Sequence, residues 1–428
     1  MVDNRPPAGV QTPFRRNLAL PVREAMTDTP VILVVGPRQS GKSTLVQSIA
    51  DDAAYVTFDD APTRAAAMDD VTGFLRGLPS PAIIDEVQRV PDVFLAIKAE
   101  VDRQRTPGRF ILTGSADVML LPRIAESLAG RMETHTLWPL SQGELAGLRE
   151  RFIDVLFDPS PLPRLAASLS RDEIFQRARS GGYPEVLQRA SPERRRSWFR
   201  GYTTSMVQRE VQEIAAVEGL SDIPRLLQLS ATRVGSLVNF TTISRDIGIP
   251  LTTVRRYEAL LRATYMVSEL PAWSNNVGRR VIHTPKLYLC DSGLLSYLRG
   301  GVPDPPFHDP DAGPLLENFV LMEIRKQAGW STNDIGIYFY RNHANQEVDI
   351  VLEHHDGRIV GIEVKAATAI QARDWRGLNV LREQAGERFV RGIVLHPGDQ
   401  VLPIGERTWA LPIEAVWRMG AEPITAGR

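Results

Sequence analysis

Residues Val31 to Leu45 read VILVVGPRQSGKSTL, a run of apolar β-forming residues that passes through a glycine-rich loop into the start of a helix. The loop matches the pattern GxxxxGK[ST] at every fixed position, and the buried strand that must precede such a loop is present. Glycines in this pattern let the chain curl, so that successive backbone N–H groups and the N-terminus of the following helix point at one anion. The stretch therefore predicts a phosphate-binding loop in an α/β domain.

The pattern also assigns roles to the side chains of the loop. Lys42 is expected to reach the β- and γ-phosphates of a nucleoside triphosphate, and the Ser43 hydroxyl is expected to be a ligand of Mg²⁺. ATP and Mg²⁺ are thus the predicted cofactors. The residues predicted to bind the nucleotide in this loop are Gly36, Pro37, Arg38, Gln39, Ser40, Gly41, Lys42, Ser43 and Thr44.

A later strand, at residues 82–86, reads AIIDE and ends in two acids. A carboxylate at the tip of a strand beside a phosphate loop can hold Mg²⁺, which suits Asp85, and the adjacent Glu86 can orient and deprotonate an attacking water. An acid pair after a strand is a weak signal alone, because acids often end strands in solvent. A complete phosphate loop earlier in the same domain favours the catalytic interpretation.

Four further residues are candidates for contacts with the phosphates. The strand FILTGSA at residues 110–116 puts Thr113 or Ser115 where a hydroxyl could sense the γ-phosphate or position the water, although a Ser/Gly turn explains each of them nearly as well. Arg123 and Arg131 could stabilise charge in the transition state, either within the chain or from a neighbouring subunit. The second arrangement would require a homo-oligomer.

The composition limits the class of protein. A chain of 428 residues is long enough for two to four domains. Its 50 Lys and Arg residues balance 51 Asp and Glu residues, so binding to nucleic acid would need a local basic patch. A single cysteine, Cys290, excludes an intramolecular disulfide, and no stretch approaches the ~20 apolar residues of a membrane helix. We expect a cytoplasmic protein that does not bind membranes.

Five segments together resemble a bacterial and archaeal family of AAA-type ATPases. They are GPRQSGKST at 36–44, IIDEVQRVPD at 83–92, FILTGSA at 110–116, SLAGR at 127–131 and LWPLSQGEL at 137–145. Members of that family join such a core to a C-terminal half similar to restriction endonucleases, and the likeness extends over nearly the whole chain. The resemblance implies ATP binding and hydrolysis, but not what hydrolysis drives.

The middle of the chain predicts a winged helix-turn-helix. Two helical patterns separated by the turn Gly248-Ile249-Pro250 are followed by an apolar strand. Residues at the start of the second helix would face outward, suited to phosphates or base edges of DNA. Many winged helices pack on neighbouring domains instead, so DNA contact stays open. The residues concerned are Thr252, Thr253, Arg255, Arg256 and Tyr257.

The C-terminal part predicts one helix, three strands, a helix and a strand. Asp349 lies inside the second strand, and Glu363 and Lys365 lie two apart on the third, so their side chains share one face. A carboxylate inside an apolar strand is costly unless it is paired or holds a cation. The predicted elements are Leu315 to Gln327, Ile335 to Arg341, Glu347 to Glu353, Arg358 to Lys365, Ala372 to Ala385 and Phe389 to Leu395.

The spacing D-x13-E-x-K, with Glu317 on the preceding helix, resembles the core of PD-(D/E)XK nucleases. The resemblance implies that Asp349 and Glu363 are metal ligands, Glu317 a supporting acid and Lys365 the catalytic base or the group that positions water. Val348 stands where the motif has proline. The alternative is a buried salt-bridge network in a nuclease fold that no longer cuts and only binds a partner.

The sequence therefore predicts an α/β protein of several domains. Its expected function is a Mg-dependent ATPase coupled to a nuclease-like domain that binds or processes DNA. The alternative is a nucleotide-gated switch or scaffold, or a DNA-binding regulator, with an inactive nuclease fold. The predicted parts are a loosely ordered N-terminus (1–16), a P-loop ATPase core (17–148), a helical lid or linker (149–220), a winged helix-turn-helix (221–300) and a restriction-endonuclease-like α/β domain (301–428).

Overall fold

The computed structural model describes residues 14–116, 128–206, 222–275, 284–300 and 312–424. The first sheet contains β1 (Val31–Val35), β2 (Ala54–Thr57), β3 (Ala82–Asp85), β4 (Phe110–Gly114) and β5 (Met132–Thr136). All of its strands are parallel, and their order across the sheet is β2-β3-β4-β1-β5. Because parallel strands end at one edge of a sheet, the loops that follow β1, β3 and β4 lie side by side.

Both faces of this sheet are covered by helices, which explains why β1 is apolar at every position. Val31, Leu33 and Val35 belong to one apolar cluster, and Ile32 and Val34 belong to another on the opposite face. The helices of this domain are α1 (Ala19–Ala25), α2 (Lys42–Ile49), α3 (Ala61–Asp69), α4 (Val71–Gly77) and α5 (Val93–Arg103).

The strand β5 is absent from the sequence-based prediction. It reads METHT, and only His135 of its residues is buried. An edge strand of mostly polar residues lacks the apolar pattern by which the other four strands are recognised.

A helical region follows the first sheet, as predicted. Residues Leu148–Arg149 form the short strand β6. The helices of this region are α6 (Gln142–Ala146), α7 (Phe152–Phe157), α8 (Arg171–Ser180), α9 (Pro184–Leu187) and α10 (Pro192–Ser205). The predicted lid or linker extends to residue 220, and its residues 207–220 lie outside the described part of the chain.

Three helices and a two-stranded hairpin come next. The helices are α11 (Ile223–Thr232), α12 (Phe240–Ile247) and α13 (Leu251–Ala263), and the antiparallel strands are β7 (Val267–Leu270) and β8 (Lys286–Leu289). Gly248 ends α12 with φ of 81°, a conformation that favours glycine, and the chain turns there into α13. Tyr257 is 2% exposed and packs inside this module, so its predicted outward position is wrong.

The C-terminal elements follow the predicted order of a helix, three antiparallel strands, a helix and a strand. The elements are α14 (Ser292–Leu298), α15 (Ala312–Ala328), β9 (Ile335–Arg341), β10 (Glu347–His354), β11 (Ile359–Val364), α16 (Arg376–Ala385), β12 (Phe389–His396), β13 (Leu402–Gly405), β14 (Thr408–Pro412), α17 (Ala415–Arg418) and β15 (Glu422–Pro423). Two of these strands, β13 and β14, extend the sheet beyond the predicted elements, and the order of strands across it is β13-β14-β12-β11-β10-β9.

One continuous apolar core joins the helical region, the three-helix module and the C-terminal sheet, with members from α7 to α17. Two further apolar clusters lie on the faces of the first sheet, and Tyr265 of the three-helix module joins one of them. None of the described helices is both long enough and apolar enough to cross a membrane.

Candidate functional site

The loop after β1 is shaped by two glycines. Gly36 has φ of 143°, and a Cβ atom at this position would lie 2.2 Å from the carbonyl oxygen of Leu137. Gly41 has φ of 96° and directly precedes α2. Both conformations and the close approach to Leu137 require glycine, so the chain can curl here as the phosphate-binding pattern predicts.

The curled loop gathers groups that suit a phosphate anion. The Lys42 side chain is buried, and its Nζ atom donates hydrogen bonds of 3.0 Å to the carbonyl oxygens of Gly36 and Pro37. The first-turn amides of α2 follow Gly41, which has no side chain to cap them. Within the described residues the buried Ser40 hydroxyl has no hydrogen-bond partner. These features fit the polyphosphate of a nucleotide.

The two residues predicted to hold Mg²⁺ meet in the structure. Ser43 Oγ donates a 3.0 Å hydrogen bond to Asp85 Oδ1, and the Tyr55 hydroxyl donates one of 2.8 Å to Asp85 Oδ2. Burial and then the charge of Asp85 raise the pKa of Tyr55, so this phenol stays protonated as a donor. A hydroxyl and a carboxylate are oxygen ligands of the kind that Mg²⁺ takes, so the residues present fit this ion. When bound, Mg²⁺ would neutralise charge on the β- and γ-phosphates.

Glu86 lies directly after Asp85 in the left-handed conformation, with φ of 58°. Its backbone N–H donates to Thr113 Oγ1 at 3.2 Å, and the Thr113 hydroxyl in turn donates to Asp85. Thr113 comes from β4, the strand between β1 and β3. The Thr113 hydroxyl therefore bonds to the Asp85 carboxylate and the Glu86 backbone, whereas the sequence predicted a contact with the γ-phosphate or the attacking water.

A glutamine that the sequence analysis overlooked holds the Glu86 carboxylate. Gln88 Nε2 donates to Glu86 Oε2 at 2.5 Å and to Ser115 Oγ at 2.9 Å. Gln88 lies in a single 3₁₀ turn, Val87–Arg89, after the acid pair. The contact with Ser115 brings that predicted residue beside Glu86. A polar residue two positions after the acids was the only signal for Gln88.

Of the two candidate arginines, the structure describes only Arg131, which lies away from the site. Arg123 lies outside the described part of the chain. Arg131 pairs with Asp102 at 2.6 Å, and its carbonyl oxygen accepts a hydrogen bond from Val31, the first residue of β1. The phosphate loop starts at the other end of β1, roughly 16 Å away at ~3.3 Å per residue. The predicted action of Arg131 on the phosphates of its own chain is therefore wrong.

Arg16 supports the loop from the segment predicted to be loosely ordered. Its guanidinium donates to the carbonyl oxygens of Ser40 at 2.7 Å and Trp138 at 2.6 Å, and to Glu144 Oε1 at 3.1 Å. These three bonds tie the phosphate loop to α6. Sequence patterns do not indicate Arg16, because its partners are 24 to 128 residues away along the chain.

The C-terminal domain brings together four acids that we call the acid cluster. Lys286, at the start of β8, reaches into it with a side chain that is 1% exposed. Its Nζ atom lies 3.0 Å from Glu317 Oε1 and 3.9 Å from Asp349 Oδ1, and it also forms an ion pair with Glu347. The acid cluster consists of Glu317, Glu347, Asp349 and Glu363. Lys286 and Glu347 were not among the predicted site residues.

The remaining contacts of the acid cluster are also within the protein. Asp349 Oδ2 accepts a 2.9 Å hydrogen bond from the backbone N–H of Val364, and Lys365 Nζ lies 3.0 Å from Glu363 Oε2. Burial and then the charge of Asp349 raise the pKa of Glu317 to about 7 and raise that of Glu363 well above its ordinary value. The predicted Asp349, Glu363, Lys365 and Glu317 do lie together.

A divalent metal ion does not fit the acid cluster as it stands. The Lys286 ammonium lies among the carboxylates of Glu317, Glu347 and Asp349, where its positive charge would repel such an ion. In the described ranges, no group of three or more His, Cys, Asp or Glu residues is arranged to hold a metal ion. The predicted roles of Asp349 and Glu363 as metal ligands thus disagree with the arrangement found.

The three-helix module exposes part of the predicted DNA-binding surface. Thr252, Arg255 and Arg256 on α13 are exposed, and Thr253 is half-buried. The Arg255 guanidinium lies 5.8 Å from the centre of the Phe240 ring. The exposed basic stripe thus contains two arginines on one face of α13.

Comparisons with known proteins find matches for three parts of the chain. Residues 28–146 match the family model of an AAA domain. Residues 171–304 and 312–416 each match a domain of unknown function, DUF8612 and DUF4143 respectively. Two curated relatives, "Uncharacterized protein Rv2008c" of Mycobacterium tuberculosis and "Uncharacterized protein Mb2031c" of Mycobacterium bovis, are each 31% identical over 411 residues, which cover 95% of this chain and 85% of theirs.

The chain belongs to the same family as these mycobacterial proteins. In this family member the AAA domain match covers β1 to β5, so the first sheet is the core of an ATP-binding, AAA-type P-loop ATPase domain. That part of the predicted fold is confirmed.

Two solved structures show weak likeness. The Walker-type ATPase PABY2304 of Pyrococcus abyssi has 15% sequence identity and a TM-score of 0.43, covering 69% of this chain and 99% of that chain. A point-substituted RuvB from Thermotoga maritima has 15% identity and a TM-score of 0.26, covering 59% of this chain and 87% of that chain.

Proposed function

We propose that this family member is a Mg-dependent ATP hydrolase that works as a nucleotide-gated switch. The observation that supports it most strongly is the meeting of Ser43, Asp85 and Thr113 beside a curled phosphate loop. Residues from three neighbouring strands or their loops converge there, and each has a chemical role in attack on the γ-phosphate.

In this proposal Lys42 stabilises negative charge on the phosphates, and Ser43 and Asp85 hold Mg²⁺. Glu86 orients the attacking water and accepts its proton. Gln88 fixes the Glu86 carboxylate, and Thr113 holds its backbone. A residue held at its backbone by Thr113 and at its carboxylate by Gln88 stays near one position, which is what a water-orienting group requires.

Two substitutions separate nucleotide binding from hydrolysis. Lys42→Ala removes the charge in the loop, so ATP affinity and hydrolysis should both be lost. Glu86→Gln keeps the loop intact, so ATP should bind with near wild-type affinity while turnover falls by about two to four orders of magnitude, the usual range for a general base. Nucleotide binding and phosphate release are measured on both proteins. If both variants hydrolyse ATP normally, the proposed site is misplaced.

The switch interpretation is favoured over a metal-dependent nuclease by the position of Lys286. Cutting by a PD-(D/E)XK centre would need a cation at Asp349 and Glu363, and the Lys286 ammonium already lies against Asp349 and its neighbours Glu317 and Glu347. The order of elements in the C-terminal domain supports a nuclease-like fold. The acid cluster supports the alternative in which that fold no longer cuts.

We further propose that the three-helix module and its hairpin form a winged helix that contacts DNA. The supporting observation is the exposure of Thr252, Arg255 and Arg256 on one face of α13. Binding of arginines to phosphates should weaken as salt rises, because the release of counterions from the DNA then contributes less free energy.

The test is a mobility-shift titration at several salt concentrations. Arg255→Ala/Arg256→Ala should weaken binding and flatten the salt dependence by about two charges. The matched control, Arg373→Ala/Arg376→Ala, removes two exposed arginines from the C-terminal domain and should bind like the wild type. Equal loss in both double variants would mean that general charge, and not α13, carries the binding.

A further inference from the structure

Lys286 and Tyr288 lie two positions apart on β8, so their side chains share one face of the hairpin. Both reach the same acid. Lys286 Nζ lies 3.0 Å from Glu317 Oε1, and the Tyr288 hydroxyl donates to that oxygen at 2.5 Å. The hairpin is therefore bound to α15 by a salt bridge and a hydrogen bond to Glu317, on the side of the helix where the acid cluster lies.

The other Glu317 oxygen is covered by the same module. A Cβ atom at Gly235, in the turn after α11, would lie 3.0 Å from Glu317 Oε2. Gly235 donates its N–H to the carbonyl oxygen of Leu287, between Lys286 and Tyr288. Glycine at this position lets the turn approach the carboxylate closely, and little space remains around it.

The Lys286 ammonium is held by more than one element. Besides Glu317 on α15, it contacts Glu347 and Asp349 on β10, and it lies 5.5 Å from the centre of the Phe339 ring on β9. Glu317, Glu347 and Asp349 thus surround the ammonium with opposite charge. The side chain therefore remains a cation inside the protein.

A buried ammonium is costly in the absence of opposite charge, and carboxylates gathered inside a fold are costly in the absence of a cation. In the acid cluster the Lys286 ammonium and the carboxylates offset the free-energy cost of burying each other's charge. Asp349, one of the two acids that the PD-(D/E)XK resemblance assigns to a metal ion, lies 3.9 Å from the Lys286 ammonium, and the other, Glu363, pairs with Lys365 at 3.0 Å.

We infer that Lys286 is the built-in cation of the acid cluster: its ammonium takes the place of a divalent metal ion and forms an ionic latch between the hairpin and the C-terminal domain. The acid cluster then serves as a domain contact and not as a nuclease centre. This inference does not depend on the proposed ATPase activity.

The test uses Mn²⁺ alone as the probe, with full-length protein and without nucleotide. Binding is followed by electron paramagnetic resonance of free Mn²⁺. Lys286→Met keeps an unbranched side chain that is one atom shorter and removes its charge, so this variant should gain a Mn²⁺ site that the wild type lacks. Adding Asp349→Asn to Lys286→Met should abolish the gained site.

Two results would overturn the inference. The first is a Mn²⁺ site in the wild type that Asp349→Asn removes, because the ammonium and the metal ion would then not exclude each other. The second is a folded Lys286→Met protein that gains no site.

A second measurement covers the case in which Lys286→Met does not fold. Melting temperatures of the wild type and of Asp349→Asn are compared with and without Mn²⁺. The latch predicts the same Mn²⁺ effect on both proteins, since neither has an open metal site at the acid cluster. A rise in the melting temperature of the wild type alone would contradict it. Because no nucleotide is present, failure here leaves the ATPase proposal unaffected.

Discussion

At the scale of single residues, the Thr113 hydroxyl has an unusual position because it touches both acids of the ATP site. It donates to the Asp85 carboxylate and accepts from the Glu86 N–H. The residue is fully buried, so water cannot replace either bond. Thr113 therefore sets the spacing between the metal-binding acid and the water-orienting acid.

We expect Thr113→Val to slow ATP hydrolysis and leave nucleotide affinity less affected. The valine has the same shape but leaves the Glu86 N–H without an acceptor, a loss of about 1–3 kcal/mol, which is on the order of a five- to hundredfold fall in kcat. The measurement is steady-state phosphate release. Thr113→Ser, which keeps the hydroxyl, is the control and should stay near the wild-type rate. Equal rates in the valine variant and the wild type would show that the bridge has no role.

Residues whose roles are set by neighbours in the chain were predictable, and the others were not. Lys42, Ser43 and Asp85 lie in short motifs, and the structure brings them together. Arg16 and Lys286 act through partners that are far away in sequence, and no local pattern marks them. Tyr257 was predicted to face outward with the other residues at the start of the second helix, yet its side chain is buried in the core.

At the scale of elements, Glu150 joins three parts of the chain next to the ATP site. It lies directly after β6, accepts a 2.8 Å hydrogen bond from the Gly143 N–H of α6, and accepts one of 2.5 Å from Asn17 Nδ2, before α1. Burial and then the charge of Glu144 raise its pKa from 4.5 to about 8. The folded protein thus holds a proton here that the unfolded chain loses near pH 4.5.

The sign of the resulting pH effect follows from this raised pKa. Between about pH 4.5 and pH 8 the folded state binds more protons at Glu150 than the unfolded state, so this group makes the free energy of unfolding fall as pH rises through that window. The slope from one group is at most ~1.4 kcal/mol per pH unit. Urea unfolding at several pH values should show a flatter profile for Glu150→Gln.

The exposed residue Glu24 provides the comparison for this experiment. Glu24→Gln makes the same chemical change where the side chain is solvated, and its profile should match the wild type. If Glu150→Gln has the wild-type slope, Glu150 is ionised in both states and the assignment is wrong.

Elements with a clear apolar pattern were predictable to within a few residues. β1 and β9 have the predicted bounds, because apolar and alternating runs identify them. β5 is a polar edge strand, and the exposed β13 has little apolar pattern. Such strands form because they pair with a neighbouring strand, and the apolar pattern of the sequence does not reveal that pairing.

At the scale of the whole molecule, the apolar cores divide the chain in two. Two clusters belong mainly to the first sheet, although Tyr265 of the three-helix module joins one of them, whereas the helical region, the three-helix module and the C-terminal sheet share one core. The sequence indicated separate modules along the chain, but it could not show that the later ones share a core. Contacts between modules depend on tertiary packing, as the latch between Lys286 and Glu317 illustrates.

This division predicts two unfolding transitions in scanning calorimetry. MgATP should bind only the domain of the first sheet, so it should raise the midpoint temperature of one transition and leave the other unchanged. At an MgATP concentration 100 times the dissociation constant, the free energy of unfolding of that domain should increase by ~2.7 kcal/mol. Lys42→Ala should show both transitions with no shift. A single transition that moves as a whole with MgATP would contradict the division.

The most direct test of the central claim is a calorimetric titration of MgATP into the pure full-length protein. The curled loop with Lys42, and Ser43 beside Asp85, predict saturable heat with one nucleotide per chain, which disappears when magnesium is chelated and in Lys42→Ala. Absence of heat from the wild type, or an unchanged curve in Lys42→Ala, would contradict the proposal that this loop binds the nucleotide.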